Sequence, residues 1–489
     1  MTKRKSVKYF IIPLIAVLIV SSSLYAGAVV PYDSYTYSTR TGEAKAEYCP
    51  TPYVPECIID SSVIGAEMLK PTDMCFDKQG NLYIVDSQKN AVIILDNDYK
   101  LKKVITAFAK GPEDFDSFGQ PEGVFVTDDN MIYICDTQKR RVVVLDEEYN
   151  FVKEYSDIES DVLGEDFMFM PIKIAVDKSK NFYVVSRNEY SGIMQFDSDG
   201  KFISFIGSNK VIYNLIDKMW KKVMTKEQRK KLSNFIPIEY TNISMDSEGF
   251  IYAVSKSSTL STPIKRLNLS GGDVLVREGY VSVVGDISNE ADETASLFCD
   301  IVSDENGVYY ALDQSKGRVF VYNSEGYLYY VFGGLGTQTG TFTVPSAIEV
   351  KNDKILVLDA ANPHITVFKR SNFANLVVNG DQAYRKGKYE ECASIWSEVI
   401  RENANYELAY VQIGKVLLRE NKYEKAMEYF KLGNYRGNEV TGTGGYNKAF
   451  TEYRKEQVHK YLFKTLLIVA LATVCFYLFR LLRKRSKDK

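Results

Sequence analysis

Histidine is nearly missing from this chain: there are 2 in 489 residues, His364 and His459. That scarcity excludes a zinc helix of the HExxH kind and leaves little room for a histidine-based triad. Cysteine is also sparse, at 7, too few and too scattered to staple a chain of this length. Net charge is almost absent, with 61 Lys+Arg against 63 Asp+Glu, which argues against a nucleic-acid binder. No Walker-type loop and no GxSxG elbow occurs, and the glycine-rich stretch 333–340 lacks the lysine and following helix of a phosphate cradle. The length suggests two or three domains rather than one.

Long apolar runs are confined to the two ends. Lys3, Arg4, Lys5 and Lys8 precede an apolar core at residues 10–20 and a small-residue exit at Ala26, Gly27 and Ala28. Residues 1–28 therefore read as a signal peptide or an uncleaved N-terminal anchor. Residues 461–482 form an apolar stretch long enough to span a bilayer. The basic tail 483–489 follows, the pattern of a stop-transfer helix with a cytoplasmic end. The expected location is the plasma membrane, with a single C-terminal span and the bulk of the chain extracytoplasmic. The near-neutral total then reads as two basic ends masking an acidic interior.

Between the ends the sequence repeats. Residues 71–86, 121–136, 171–185, 240–254, 298–313 and 345–359 each hold two short apolar runs around a polar turn, such as Asp77 to Gly80 or Asp246 to Gly249. Glycine there suits a tight hairpin. A third run follows in most units, for example residues 92–95 and 142–145, and in several a fourth, as at 101–108. Four antiparallel strands repeated six times predict the blades of a propeller. Asp86, Asp136, Asp313 and Asp359 recur after the second run, where a carboxylate accepts turn N–H groups or pairs with a following arginine. A catalytic group would not repeat around a ring.

From residue 373 the periodicity becomes helical. Two units align 34 residues apart, matching Gly380 with Gly414, Tyr389 with Tyr423, Cys392 with Ala426 and Trp396 with Phe430. A small residue facing an aromatic lets paired helices approach closely.

The P-x-x-φ-φ-φ-D…G-x-φ-Y-φ-φ-D pattern resembles NHL-repeat six-bladed β-propellers, and the helical units look like a pair of tetratricopeptide repeats. The expected fold is multidomain: an all-β six-bladed propeller of NHL type at residues 65–372, an all-α tetratricopeptide-like repeat at 373–457, and a C-terminal transmembrane helix. Residues 29–64, rich in tyrosine and proline, are expected to close the propeller. Cys49 and Cys57 lie near enough in sequence for a local disulfide, and two free thiols fit equally well. The whole arrangement resembles propeller–tetratricopeptide proteins of Gram-positive bacteria, and that resemblance implies a carbohydrate transport system as a partner.

Two places attract a functional reading. The helical insertion 209–235 between the third and fourth units carries Trp220, Lys221, Lys222, Arg229, Lys230 and Lys231. This is a basic amphipathic surface for a partner or membrane, or a cap with solvated lysines. The third position of each unit, at the start of the inner strand, faces the central channel. Those residues are Asp73, Gly123, Lys173, Asn242, Asp300 and Ala347. Asp73, Asn242 and Asp300, with Glu122 beside Gly123, offer oxygen ligands for Ca²⁺. Related propeller lactonases use such a cluster, so the resemblance admits a metal-dependent lactonase-like hydrolase. Lys173 in the same ring and the lack of an evident base oppose it. No catalytic set and no cofactor is otherwise assembled. The leading expectation is a membrane-anchored extracytoplasmic binding or scaffold protein, with a protein partner on the helical repeats and no nucleic acid.

Overall fold

The computed structural model describes residues 30–40, 44–156, 158, 160, 163, 167–207, 239–256, 262–287, 295–433 and 444–485. The expected leader 1–28, the basic insertion with Trp220, Lys221, Lys222, Arg229, Lys230 and Lys231, and residues 486–489 lie outside the described residues. The chain divides into two compact units.

The first unit is a six-bladed β-propeller. Blade one consists of Pro71–Phe76, Leu82–Asp86, Ala91–Leu95 and Leu101–Ile105, paired antiparallel in chain order. Blades two, three and five repeat this order from Gly123–Val126, Pro171–Val176 and Phe298–Ser303. Blade four has three regular strands, Tyr240–Met245, Ile251–Ser255 and Ile264–Leu267. Blade six takes Pro345–Lys351, Lys354–Asp359 and His364–Arg370, and its fourth strand is Tyr53–Asp60 from the other end of the chain. The ring is thus closed by hydrogen bonds between early and late segments.

The second strand of every blade is buried almost end to end, as in Leu82–Asp86 and Ile251–Ser255. Each blade is packed between two neighbours, so both faces lose water and the alternation seen in one-sided sheets disappears. The tight turns follow the sequence. Asp77 accepts the Asn81 N–H at 2.7 Å, and Gly80 takes φ 84°. Asp246 and Asp304 do the same before Gly249 and Gly307.

The recurrent aspartates pin the entries of four blades to their own second turns. Asp86 accepts from the Leu69 and Lys70 N–H groups at 2.6 and 3.1 Å, Asp313 from Leu297 at 2.9 Å, and Asp136 from Gly119 at 2.6 Å. Asp136 also takes the Arg141 Nε–H at 2.8 Å. Their burial without such donors would cost several kcal/mol each, roughly.

The second unit contains helices α1 (Asn372–Arg385), α2 (Tyr389–Glu402), α3 (Glu407–Arg419), α4 (Tyr423–Leu432) and α5 (Gly445–Arg485). Gly380 lies against the Trp396 indole and Gly414 against the Phe430 ring, so that an added Cβ would sit 2.8 Å from either aromatic. The two helix pairs α1–α2 and α3–α4 are therefore built on one contact repeated at a fixed offset. Residues 36–50 and 278–282 belong to this unit as well. Cys49 is buried, Cys57 exposed, and both are free thiols.

Helix α5 is unbroken over 41 residues, about 60 Å at 1.5 Å per residue. Ala449 near its start is fully buried. Every side chain at 461–480 is exposed, including Leu466, Leu467, Ile468, Val469 and Leu471. Its most apolar window has a mean hydropathy of 2.2, so the helix is long and apolar enough to cross a membrane.

Candidate functional site

The innermost strands of five blades carry a bulge at their second residue. The pairing register shifts between Pro71 and Asp73, Pro171 and Lys173, Tyr240 and Asn242, Phe298 and Asp300, and Pro345 and Ala347. A bulge re-aims the side chains beside it. Here it turns the second residue toward the next blade. Thr72 Oγ1 donates to the Glu122 carbonyl at 3.1 Å, Thr241 Oγ1 to Phe298 at 2.9 Å, and Ser346 Oγ to Pro71 at 3.3 Å. That last bond joins blade six to blade one.

The third residues meet at the centre. Lys173 of blade three reaches Asp73 of blade one, with Nζ to Oδ1 at 2.5 Å. Between them stands Gly123 of blade two, where a Cβ would fall 2.4 Å from the Ile172 carbonyl oxygen. The missing side chain lets the blade-three strand come close enough for the ion pair. Asp73 Oδ2 accepts the Val124 N–H at 2.9 Å. Asn242 Nδ2 donates to Asp300 Oδ1, and Asp300 Oδ2 accepts the Ile348 N–H at 2.7 Å.

Three of the four proposed ligands therefore join the ring, and Glu122 does not. It points to Arg187, with which it forms an ion pair. Both oxygens of Asp73 and both of Asp300 are committed to protein donors. Among the described residues, no group of three His, Cys, Asp or Glu side chains is placed to hold a metal ion.

A further carboxylate belongs to this centre. Glu349 lies two residues along the inner strand from Ala347 and within electrostatic reach of Asp300, Asp73 and Lys173. Sequence reading restricted to third positions passes over it. The available signal was a lone acid between the apolar residues Ile348 and Val350 of the inner strand.

Burial sets the electrostatics. It pushes the Asp300 carboxyl up to about 7, against the pull of Lys173. It raises Asp73 despite the same ammonium, and lifts Glu349 well above the usual carboxylate range. For Lys173 burial disfavours the charge, but Asp73 and Asp300 outweigh it and the ammonium is held more firmly than in water. The centre is thus a mixed ring with one ammonium and three reluctant carboxyls. It can bind or release protons near neutrality.

No family model matches the chain, and no curated protein sequence matches it. Among solved structures, virginiamycin B lyase from Staphylococcus aureus is 11% identical, covering 62% of this chain and 95% of that one, with a TM-score of 0.39. A streptogramin B lyase is 11% identical, over 65% and 98% of the two chains, also at 0.39. A Bacteroides caccae protein of unknown function is 10% identical, over 61% and 92%, at 0.32. These similarities transfer no chemistry to this chain.

Proposed function

We propose that the chain is an extracytoplasmic binding and scaffold protein, held at the plasma membrane by the apolar part of α5. The observation that carries this reading is α5 itself. One helix begins against the helix pairs and continues without a break into about thirty ångströms of exposed apolar surface, the thickness of a bilayer's hydrocarbon core. An exposed stripe of that size calls for an apolar environment. The repeated glycine-on-aromatic contact, 34 residues apart, supports tetratricopeptide-like pairs, which serve as docking modules for a protein partner. A carbohydrate transport system is the partner class that the sequence resemblance suggests. The propeller supplies the second binding surface. The basic start and apolar core of residues 1–28 and the basic tail of the sequence fit the same orientation.

Protease added to intact cells tests the topology. Residues 44–460 are expected to be digested while a tagged C-terminal tail survives. A fully protected chain that becomes digestible only after lysis would overturn the reading.

A further inference from the structure

Glu407 opens α3 and is almost wholly buried, with 1% of its surface exposed. A carboxylate in that position must be satisfied by fixed donors. The donors come from the end of strand Tyr35–Ser38 and the two residues after it, far away in sequence. Ser38 Oγ donates to Glu407 Oε1 at 2.5 Å, and the Thr39 N–H donates to Oε2 at 3.3 Å. Arg40 Nε lies 3.2 Å from Oε1, and its Nη1 donates to Asn405 Oδ1 at 3.3 Å. Farther along, Asn403 Nδ2 donates to the Tyr48 carbonyl at 3.1 Å.

Three neighbouring polar residues, Asn403, Asn405 and Glu407, thus read the end of strand Tyr35–Ser38 with the two residues after it, and the end of strand Lys45–Tyr48. They use backbone groups there as well as side chains. The hydroxyl and the guanidinium are read together on one carboxylate, at the positive end of a helix where a carboxylate is favoured. The α2–α3 junction has the features of a peptide-binding site: a fixed buried anion, two flanking amides and main-chain hydrogen bonds. Its occupant is the chain's own segment. That segment is tethered at both ends, since Tyr35 pairs with Val331 and Tyr53 starts the strand that pairs with His364–Arg370.

We propose that the α2–α3 junction is a recognition site, centred on Glu407, for a peptide with a hydroxyl residue two positions before an arginine. Residues 38–40 occupy it as a displaceable internal ligand. A partner presenting the same signature engages the helical unit by taking their place. This deepens the docking role given to the helical unit and rests on that reading.

The tether fixes the kinetics and the apparent affinity. A segment held at both ends competes at an effective concentration of roughly millimolar. A free peptide of the same sequence therefore binds the intact protein weakly, although the site fits it. Weakening the internal copy removes the competitor and leaves the site intact.

The test uses the full chain in detergent and a fluorescently labelled synthetic peptide of residues 34–48. In the chain carrying Ser38→Ala with Arg40→Ala, the peptide should bind at least roughly tenfold more tightly than in the unaltered chain, the scale of a lost charged hydrogen bond. Adding Glu407→Gln should abolish the gain, and replacing the peptide's arginine by alanine should do the same. If the double variant does not fold, Arg40→Ala alone carries the same comparison. Equal binding by the variant and the unaltered chain, or a gain indifferent to Glu407→Gln, would overturn the proposal. The outcome is separable from the topology experiment, because peptide binding in detergent does not depend on which side of a membrane the chain occupies.

Discussion

At the scale of single residues, the propeller centre depends on one missing side chain. Gly123 permits the Lys173–Asp73 pair because nothing projects from blade two at that level. Gly123→Ala would place a carbon 2.4 Å from the Ile172 carbonyl oxygen, a backbone atom that cannot swing aside. Overpacking of this kind costs typically 1–3 kcal/mol. Here it also separates a buried ion pair, and an orphaned buried charge costs roughly 3–5 kcal/mol. Gly123→Ala should therefore lower unfolding stability by about 2–5 kcal/mol in urea titration. A loss under about 0.5 kcal/mol would show that Lys173 does not need the close approach. The same glycine shows the limit of reading the centre from sequence. Third-position residues could be tabulated from the repeat, and Asp73, Lys173, Asn242 and Asp300 do assemble. Glu122 escapes that rule, because it precedes the third position and pairs instead with Arg187 of the next blade. Glu349 was invisible to a rule that looked at one level of the strand.

At the scale of elements, six blades were legible because each hairpin joins two short apolar runs across a polar turn, with an Asp…Gly pair in three of them, Asp77 with Gly80, Asp246 with Gly249 and Asp304 with Gly307. The change to helical spacing near residue 373 was equally plain, since Gly380 and Trp396 recur as Gly414 and Phe430. Less legible was the outer edge of blade four, where Gly271, Gly272 and Asp273 follow Leu267 and a single bridge to Asp273 replaces a fourth strand. A closing role for residues 29–64 is readable from their place before the first blade, but the register of Tyr53–Asp60 on His364–Arg370 has no local signature, because strand partners three hundred residues apart leave no periodic trace. That strand nevertheless feeds a core shared by blades six and one. Ile59 is 1% exposed and packs in one cluster with Ile365 and Val367 of blade six and Met74, Ile84 and Ile93 of blade one. Ile59→Ala should cost about 2–5 kcal/mol through transfer and cavity terms. Leu101→Ala, in the outer strand of blade one and 39% exposed, should cost under about 1 kcal/mol. Comparable losses for the two would mean that the closing strand contributes no more than any outer edge. The measurement is the unfolding midpoint of each purified variant.

At the scale of the whole molecule, the buried carboxyls at the propeller centre tie stability to pH. Asp300 holds its proton up to about pH 7 in the folded chain, whereas an unfolded aspartate loses it near 4, roughly. The folded state therefore binds the proton more tightly. Its contribution to stability is complete below the unfolded value and is lost as pH rises through about 7. Glu349 and Asp73 are shifted in the same direction by burial, so they add to the same slope. Surface carboxylates act the other way. Asp60 and Asp129 are held below their usual range, Asp60 first by the Ser62 hydroxyl and Asp129 first by Lys180, and such groups lose stability as pH falls. The measured profile is the sum of both, so the central contribution is isolated only by difference. Asp300→Asn removes the titrating proton while keeping the side chain's shape. It should be less stable than the unaltered chain at pH 4 to 5, because the amide cannot accept from both Asn242 and Ile348 as the carboxyl does. The gap should narrow between about pH 4 and 7, where the unaltered chain's unfolded state ionises while the buried acid keeps its proton. The expected change in the gap is on the order of a few kcal/mol. Urea unfolding at four pH values would suffice. A gap that stays constant, or widens with pH, would mean that Asp300 is ionised throughout and that Lys173 overrides its burial.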